Sequence, residues 1–84
     1  MDAHRRKLHF RSCHRGMKEM DIIFSRFAEV VLPHLPEKDL PDYERILNLP
    51  DDKLFYWAIG RAEAPAEILS PLLSRFLTLD YMRP

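Results

Sequence analysis

Four histidines, one cysteine and a pair of adjacent aspartates are the side chains of this 84-residue chain with the widest chemical reach. His4, His9, Cys13 and His14 crowd one short segment, which raises the question of a metal. A single thiol among scattered histidines does not have the ligand spacing of a structural zinc site, and the basic residues around it oppose a cation. No metal is expected. Cys13, beside His14 and near Arg15, has some of the surroundings of an activated thiol. Without a shaped pocket the expectation is a buried structural cysteine. Asp51 and Asp52 suit the first turn of a helix, where carboxylates accept backbone N–H groups and meet the favourable end of the dipole. A Gly-rich phosphate loop, HExxH, CxxC and Gly-x-Ser-x-Gly are all missing from the sequence. The residues offer no catalytic machinery, and the expected function is not enzymatic.

A different pattern stands at Arg15-Gly16-Met17-Lys18-Glu19, where the only glycine of the first half meets the cleanest amphipathic run. Met17, Met20, Ile23, Phe24, Phe27 and Val31 recur at steps of three and four, so they share one helical face. The spacing predicts a helix from about Met17 to Leu32, stopped by Pro33. If that helix reaches back to Arg15, then Arg15, Glu19, Ile22 and Arg26 form one stripe facing away from the core. Gly16 can serve a helix junction through its backbone freedom, or let another chain approach closely.

The elements that must position this stretch follow from similar signals. Residues 3–13 contain no breaker, and a short helix anchored by Leu8, Phe10 or Cys13 is expected there. Pro33 and Pro36 mark a connector, Asp39 or Leu40 a cap, and Pro41 the first turn of a helix. That helix buries Leu40, Tyr43, Ile46 and Leu47. A fourth helix starts at Asp51 or Asp52, with Leu54, Trp57 and Ala58 inward, Phe55 also in the core and Tyr56 at the surface. Gly60 suits a left-handed helix stop. Ala66 to Leu69 make one turn. Ser70-Pro71 opens a last helix whose stripe is Leu72, Leu73, Phe76 and Leu77, extended by Leu69. The tail from Asp80 is expected to fray. Sustained alternation and Asn-Gly or Asp-Gly hairpin turns are absent, so the fold class is all-α: four to five short helices in a compact bundle forming a single domain, 1–84.

Apolar residues make 46% of the chain and charged residues 31%, which is the balance of a globular protein rather than a disordered one. One cysteine allows no internal disulfide and fits a reducing compartment. No apolar run is long enough to span a bilayer. Asp2 speaks against reading the arginine-rich start as a transit peptide, and that start is taken as part of the fold. The neutral total hides an asymmetry: residues 1–26 carry seven Lys or Arg against three acids, and the remainder six against ten. Such a basic end can steer a partner.

The run Lys7-Leu8-His9-Phe10-Arg11-Ser12-Cys13-His14-Arg15-Gly16-Met17-Lys18-Glu19-Met20-Asp21 resembles the signature of the SdhE-type flavinylation factors. Their hallmark Arg-Gly-x-x-Glu is matched by Arg15, Gly16 and Glu19, with an upstream Arg-Ser step at Arg11 and Ser12. A second block is also similar: Pro50-Asp51, Leu54-Phe55-Tyr56-Trp57, Gly60-Arg61 and Pro65-Ala66-Glu67. The chain departs from the family where Lys53 replaces an acid before Leu54, with Asp52 one step early. The resemblance implies an assembly factor for the flavoprotein subunit of succinate dehydrogenase, or of fumarate reductase. Such a factor promotes covalent attachment of FAD to that client and is not itself expected to hold FAD as a cofactor. It also implies partner-binding roles for Arg11, Arg15, Gly16, Met17 and Glu19, in a protein expected to be a monomer with no membrane or nucleic-acid partner. The expected location is a bacterial cytoplasm, or the mitochondrial matrix if the source is eukaryotic. The alternative is a small helical antitoxin or nucleic-acid-binding regulator. Neutral overall charge and the lack of a recognition helix weigh against DNA.

Overall fold

The computed structural model describes residues 1–83. Among them lie five α-helices and no strand: α1 Ala3–Cys13, α2 Lys18–Val31, α3 Leu40–Leu47, α4 Asp51–Ala58 and α5 Pro71–Thr78. Short 3₁₀ turns at Leu32–His34, Glu37–Asp39, Ala66–Ile68 and Asp80–Met82 fill the connections. The all-α expectation holds, and the element count is the upper one.

Each boundary has a local cause. The Asp2 carboxylate accepts the Arg5 backbone N–H at 2.8 Å and so caps α1. Pro33 does not end the helical path abruptly; the chain tightens into the 3₁₀ turn that contains it. Arg5 donates from Nη1 to the Leu32 carbonyl at 2.6 Å, a second bond to an acceptor that the Leu35 N–H reaches only at 3.4 Å. Gly60 has a φ of +80°. The Arg61 N–H reaches the Tyr56 carbonyl at 2.8 Å, and the Gly60 N–H reaches that of Trp57 at 3.2 Å. These two bonds close α4 as a Schellman motif. Ser70 Oγ accepts the Leu73 N–H at 3.1 Å and starts α5, with Pro71 in its first turn.

Helix α2 is central, touching α1, α4 and the C-terminal turn, while α3 contacts both α1 and α5. Its buried face is Met20, Ile23, Phe24, Phe27, Ala28 and Val31. Phe27 stacks on Tyr43 with ring centroids 5.7 Å apart and meets Phe76 edge-on at 5.0 Å. All four residues assigned to the α3 face are buried, as are Leu54, Leu73 and Phe76.

Several expectations need correction. Phe10 is exposed and Cys13 only half-buried; α1 is held instead by Leu8 and Ser12, one turn apart. Phe55, Trp57 and Ala58 are half-buried, which leaves Leu54 as the one fully buried residue of α4. Leu69 is exposed. The tail does not fray through Tyr81, which is buried against Phe27 at 4.9 Å and donates its hydroxyl to the Phe76 carbonyl at 2.7 Å. Leu79, in the left-handed region at a φ of 57°, turns the chain back for this contact. That conformation costs a non-glycine residue about 1 kcal/mol, and burial of an aromatic ring outweighs it.

Ser12 has one hydrogen, and the Leu8 carbonyl 2.8 Å away can only accept it. The Tyr43 hydroxyl, 2.6 Å from Ser12 Oγ, must therefore be the donor of that second bond. Tyr43→Phe leaves Ser12 bonded and is expected to cost at most about 1 kcal/mol, whereas Ser12→Ala strands a buried hydroxyl and should cost about 1–3 kcal/mol. Urea denaturation of the two variants checks this order. Burial also pushes the phenols of Tyr43 and Tyr81 well above their ordinary value. A raised folded-state pKa means that their contribution is complete below the unfolded value of about 10 and is lost as pH rises beyond it. Stability measured from pH 8 to 12 should therefore fall more steeply in the parent than in a Tyr43→Phe/Tyr81→Phe variant.

Candidate functional site

The four residues His14–Met17 join α1 to α2, and their path is fixed by one arginine and two aspartates. Met17 is extended and precedes the first turn of α2, so the helix begins at Lys18 and does not reach back to Arg15. The Arg15 side chain is only 10% exposed. It donates from Nε to Asp51 Oδ1 at 2.8 Å, and Nη2 lies 2.6 Å from the same oxygen. Nη1 donates to the Leu47 carbonyl at 2.7 Å and Nη2 to that of Leu49 at 3.2 Å. Leu47 ends α3 and Asp51 begins α4, so the guanidinium ties α1–α2 to the joint between these helices. A cation is also favoured at the C-terminal end of α3. The guanidinium carbon lies 4.9 Å from the Phe24 ring centroid, within cation–π range.

The backbone is clamped from both sides. The Arg15 N–H donates to the Asp21 carboxylate, and the Gly16 N–H donates to Asp51 Oδ2 at 3.2 Å. Gly16 is exposed, and it lacks the positive φ that would demand glycine. A Cβ built on it would meet Asp51 Oδ2 at 4.0 Å, an ordinary contact. Nothing inside the chain therefore requires a glycine here, which removes the helix-junction reason.

This geometry changes the expected stripe. Arg15 faces inward and pairs with Asp51 rather than joining that stripe. Glu19 and Ile22 are exposed, and Glu19 has no ion-pair partner among the described residues. Arg26 is half-buried and donates to the Tyr81 carbonyl at 3.0 Å. Arg11 reaches α3, donating to Asn48 Oδ1 at 2.7 Å, and Met17 is partly buried against the core. Asp51 does not cap α4, since Pro50 holds that position and the carboxylate is spent on Arg15 and Gly16. Asp52 and Lys53 are exposed beside it. Of the five residues expected to meet a partner, Gly16 and Glu19 present themselves fully, Arg11 and Met17 partly, and Arg15 scarcely.

Phe10, Arg11, His14, Arg15, Gly16 and Asp51 line a shallow depression of about 260 Å³. Phe10 and His14 are stacked, with centroids 3.9 Å apart and planes 20° from parallel. Cys13 Sγ lies 3.7 Å from His9 Nδ1, and no cluster of three or more metal-ligating side chains forms among the described residues. Asp21 is not among the residues that the sequence points to, and the sequence suggests Phe10 only as a helix anchor and His14 only as a candidate metal ligand. For Asp21 no signal existed, because its partner is a backbone N–H in a connector.

Comparison with known proteins places this geometry in context. Residues 6–80 match the family model described as flavinator of succinate dehydrogenase. The FAD assembly factor SdhE of Acetobacter pasteurianus is 40% identical over 75 residues, covering 89% of this chain and 69% of that protein. The mitochondrial succinate dehydrogenase assembly factor 2 of Dictyostelium discoideum is 38% identical over 69 residues, 82% of this chain and 49% of that protein. Its counterpart in Scheffersomyces stipitis is 40% identical over 58 residues, 69% of this chain and 39% of that protein. The chain thus spans about two thirds of the bacterial relative and half or less of these two mitochondrial ones.

The clamp has a measurable cost of removal. Arg15→Lys keeps the charge but cannot reach Asp51 and two carbonyls at once, and it should lower the unfolding free energy by about 2–3 kcal/mol. Glu19→Gln, at an exposed and unpaired site, should change it by less than about 0.5 kcal/mol. Urea denaturation monitored by circular dichroism separates the two.

Proposed function

The chain belongs to the flavinators of succinate dehydrogenase, and on that premise we propose that it binds the flavoprotein subunit of succinate dehydrogenase, or of the related fumarate reductase, and promotes covalent attachment of FAD to it. The docking edge in this reading is Gly16 and Glu19, flanked by Arg11 and Met17. Arg15 belongs to the same edge chiefly by holding it in place. The observation that carries the assignment is the bare backbone at Gly16, exposed although no intrachain contact calls for a glycine.

The physical role is preorganisation. A small surface that binds best to one arrangement of the client raises the population of that arrangement, and aligned reactants cross their barrier faster. The bond-making chemistry then belongs to the flavin and the client, and the protein acts as a non-catalytic chaperone. The depression beside Gly16, at about 260 Å³, falls below the ~300–1,000 Å³ of pockets that enclose small molecules. That supports a protruding segment of a partner, rather than the flavin, as its occupant. The mitochondrial names of the eukaryotic relatives support a mitochondrial setting, read here as the matrix, for a eukaryotic source, and a bacterial source is assigned to the cytoplasm. No described helix is long and apolar enough to cross a membrane.

Gly16→Arg places a long side chain on the docking edge without disturbing the core. It should retain the parent's helical circular dichroism and abolish flavinylation of the client subunit, read as in-gel flavin fluorescence in cells with the variant as sole copy. Normal covalent flavin in that strain would defeat the docking assignment.

A further inference from the structure

Phe10 is the most exposed large apolar side chain of the described residues, at 61%. An aromatic ring left in water invites a search for what covers it. The ring is not loose. It lies stacked on His14, and His14 Nδ1 sits 2.7 Å from the Phe10 carbonyl one turn back. A carbonyl only accepts, so Nδ1 carries the hydrogen and the imidazole is locked in place, its Nε2 left for solvent. The stack in turn fixes the Phe10 ring. Rigid aromatic side chains lose little entropy on binding, which is why they serve as interface anchors.

The surroundings identify the partner's chemistry. Phe10 and Gly16 wall the same depression, so the ring is continuous with the docking edge. Arg6 and Lys7, four and three residues before Phe10, share its side of α1 and are exposed. The other arginines of the basic end are spent inside the molecule: Arg5 on Asp2 and Leu32, Arg11 on Asn48, Arg15 on Asp51, Arg26 on Glu29 and Tyr81. Arg6 and Lys7 have no ion-pair partner among the described residues, and Asp2, the acid that caps α1, is held by Arg5.

We propose that the outward face of α1 is a second half of the docking surface, in which Phe10 inserts into an apolar pocket of the flavoprotein client and Arg6 and Lys7 meet carboxylates at its rim. This rests on the docking reading of Gly16. The anchor supplies affinity, while the two cations supply attraction at a distance and hence association rate.

The test uses the purified client subunit and the whole chain, with binding followed by surface-immobilised kinetics. Phe10→Ser should keep the helical signal, because the ring is outside the core, and weaken binding at least tenfold. Phe10→Trp should restore affinity to within about threefold, since the anchor needs an aromatic ring rather than that ring. Arg6→Glu/Lys7→Glu should slow association about tenfold at low salt, with the difference shrinking as salt rises. Phe10→Ser binding as tightly as the parent, while Gly16→Arg does not bind, would overturn the anchor and leave the docking edge standing. Normal binding by Gly16→Arg as well would overturn the docking reading itself. Sedimentation showing a dimer of the parent that Phe10→Ser dissolves would assign the ring to a second copy of this chain, which also overturns the proposal.

Discussion

The guanidinium of Arg15 sits where three pieces of chain meet: the α1–α2 connector, the carbonyls of Leu47 and Leu49 at and just beyond the end of α3, and the first residue of α4. Taking an arginine out of water is costly, and the cost is offset here by a carboxylate, two carbonyls and an aromatic face. Because Asp51 also accepts the Gly16 N–H, the pair fixes the course of the backbone that carries the proposed docking edge as well as the packing of the helices. The connector is thereby presented as a rigid surface rather than a loop. A chain this small buries a limited core, and one multidentate clamp at this three-way joint gives it a defined edge that apolar packing alone would leave loose.

The outcome separates two roles within one five-residue motif. Arg15 looks inward and Glu19 outward, with Gly16 between them offering backbone and no side chain. A surface of this kind suits a protein whose work is to stabilise one conformation of another. In the proposed docking, specificity would come from shape and charge at the edge, beside which His14 stacks on Phe10. Most of the positive charge of the first 26 residues is used to hold helices together. The basic end is therefore far less of a free electrostatic patch than the residue count suggests.

The fold was largely legible in the sequence because its signals are local. The faces of α2, α3 and α5, the Gly60 stop and the Ser70-Pro71 start all depend on residues within a few positions of one another, and all are found. Signals that depend on distant partners were not legible. Tyr81 is held by Phe27 and Phe76 through the turn at Leu79, and a polar-looking tail gives no hint of that. Ser12 reads as a surface residue until Tyr43, 31 positions away, is brought beside it. The candidate site shows the same division. A helix reaching back to Arg15 would have pointed that residue outward, whereas α2 starts at Lys18 and Arg15 follows a partner 36 positions along the chain. Gly16 and Glu19, both exposed, are singled out by their motif, which is a pattern of types and needs no helix.

The central claim is that the edge formed by the α1–α2 connector, the start of α2 and the outward face of α1 meets the flavoprotein client. Amide resonances of the ¹⁵N-labelled protein, followed as unlabelled client subunit is added, test it most directly. The account predicts that the largest losses and shifts fall at Phe10, His14, Gly16 and Glu19, with Tyr56, Ile59 and Leu69 at the start unaffected. Perturbation centred instead on Tyr56, Ile59 and Leu69, with the Gly16 region unmoved, would contradict it.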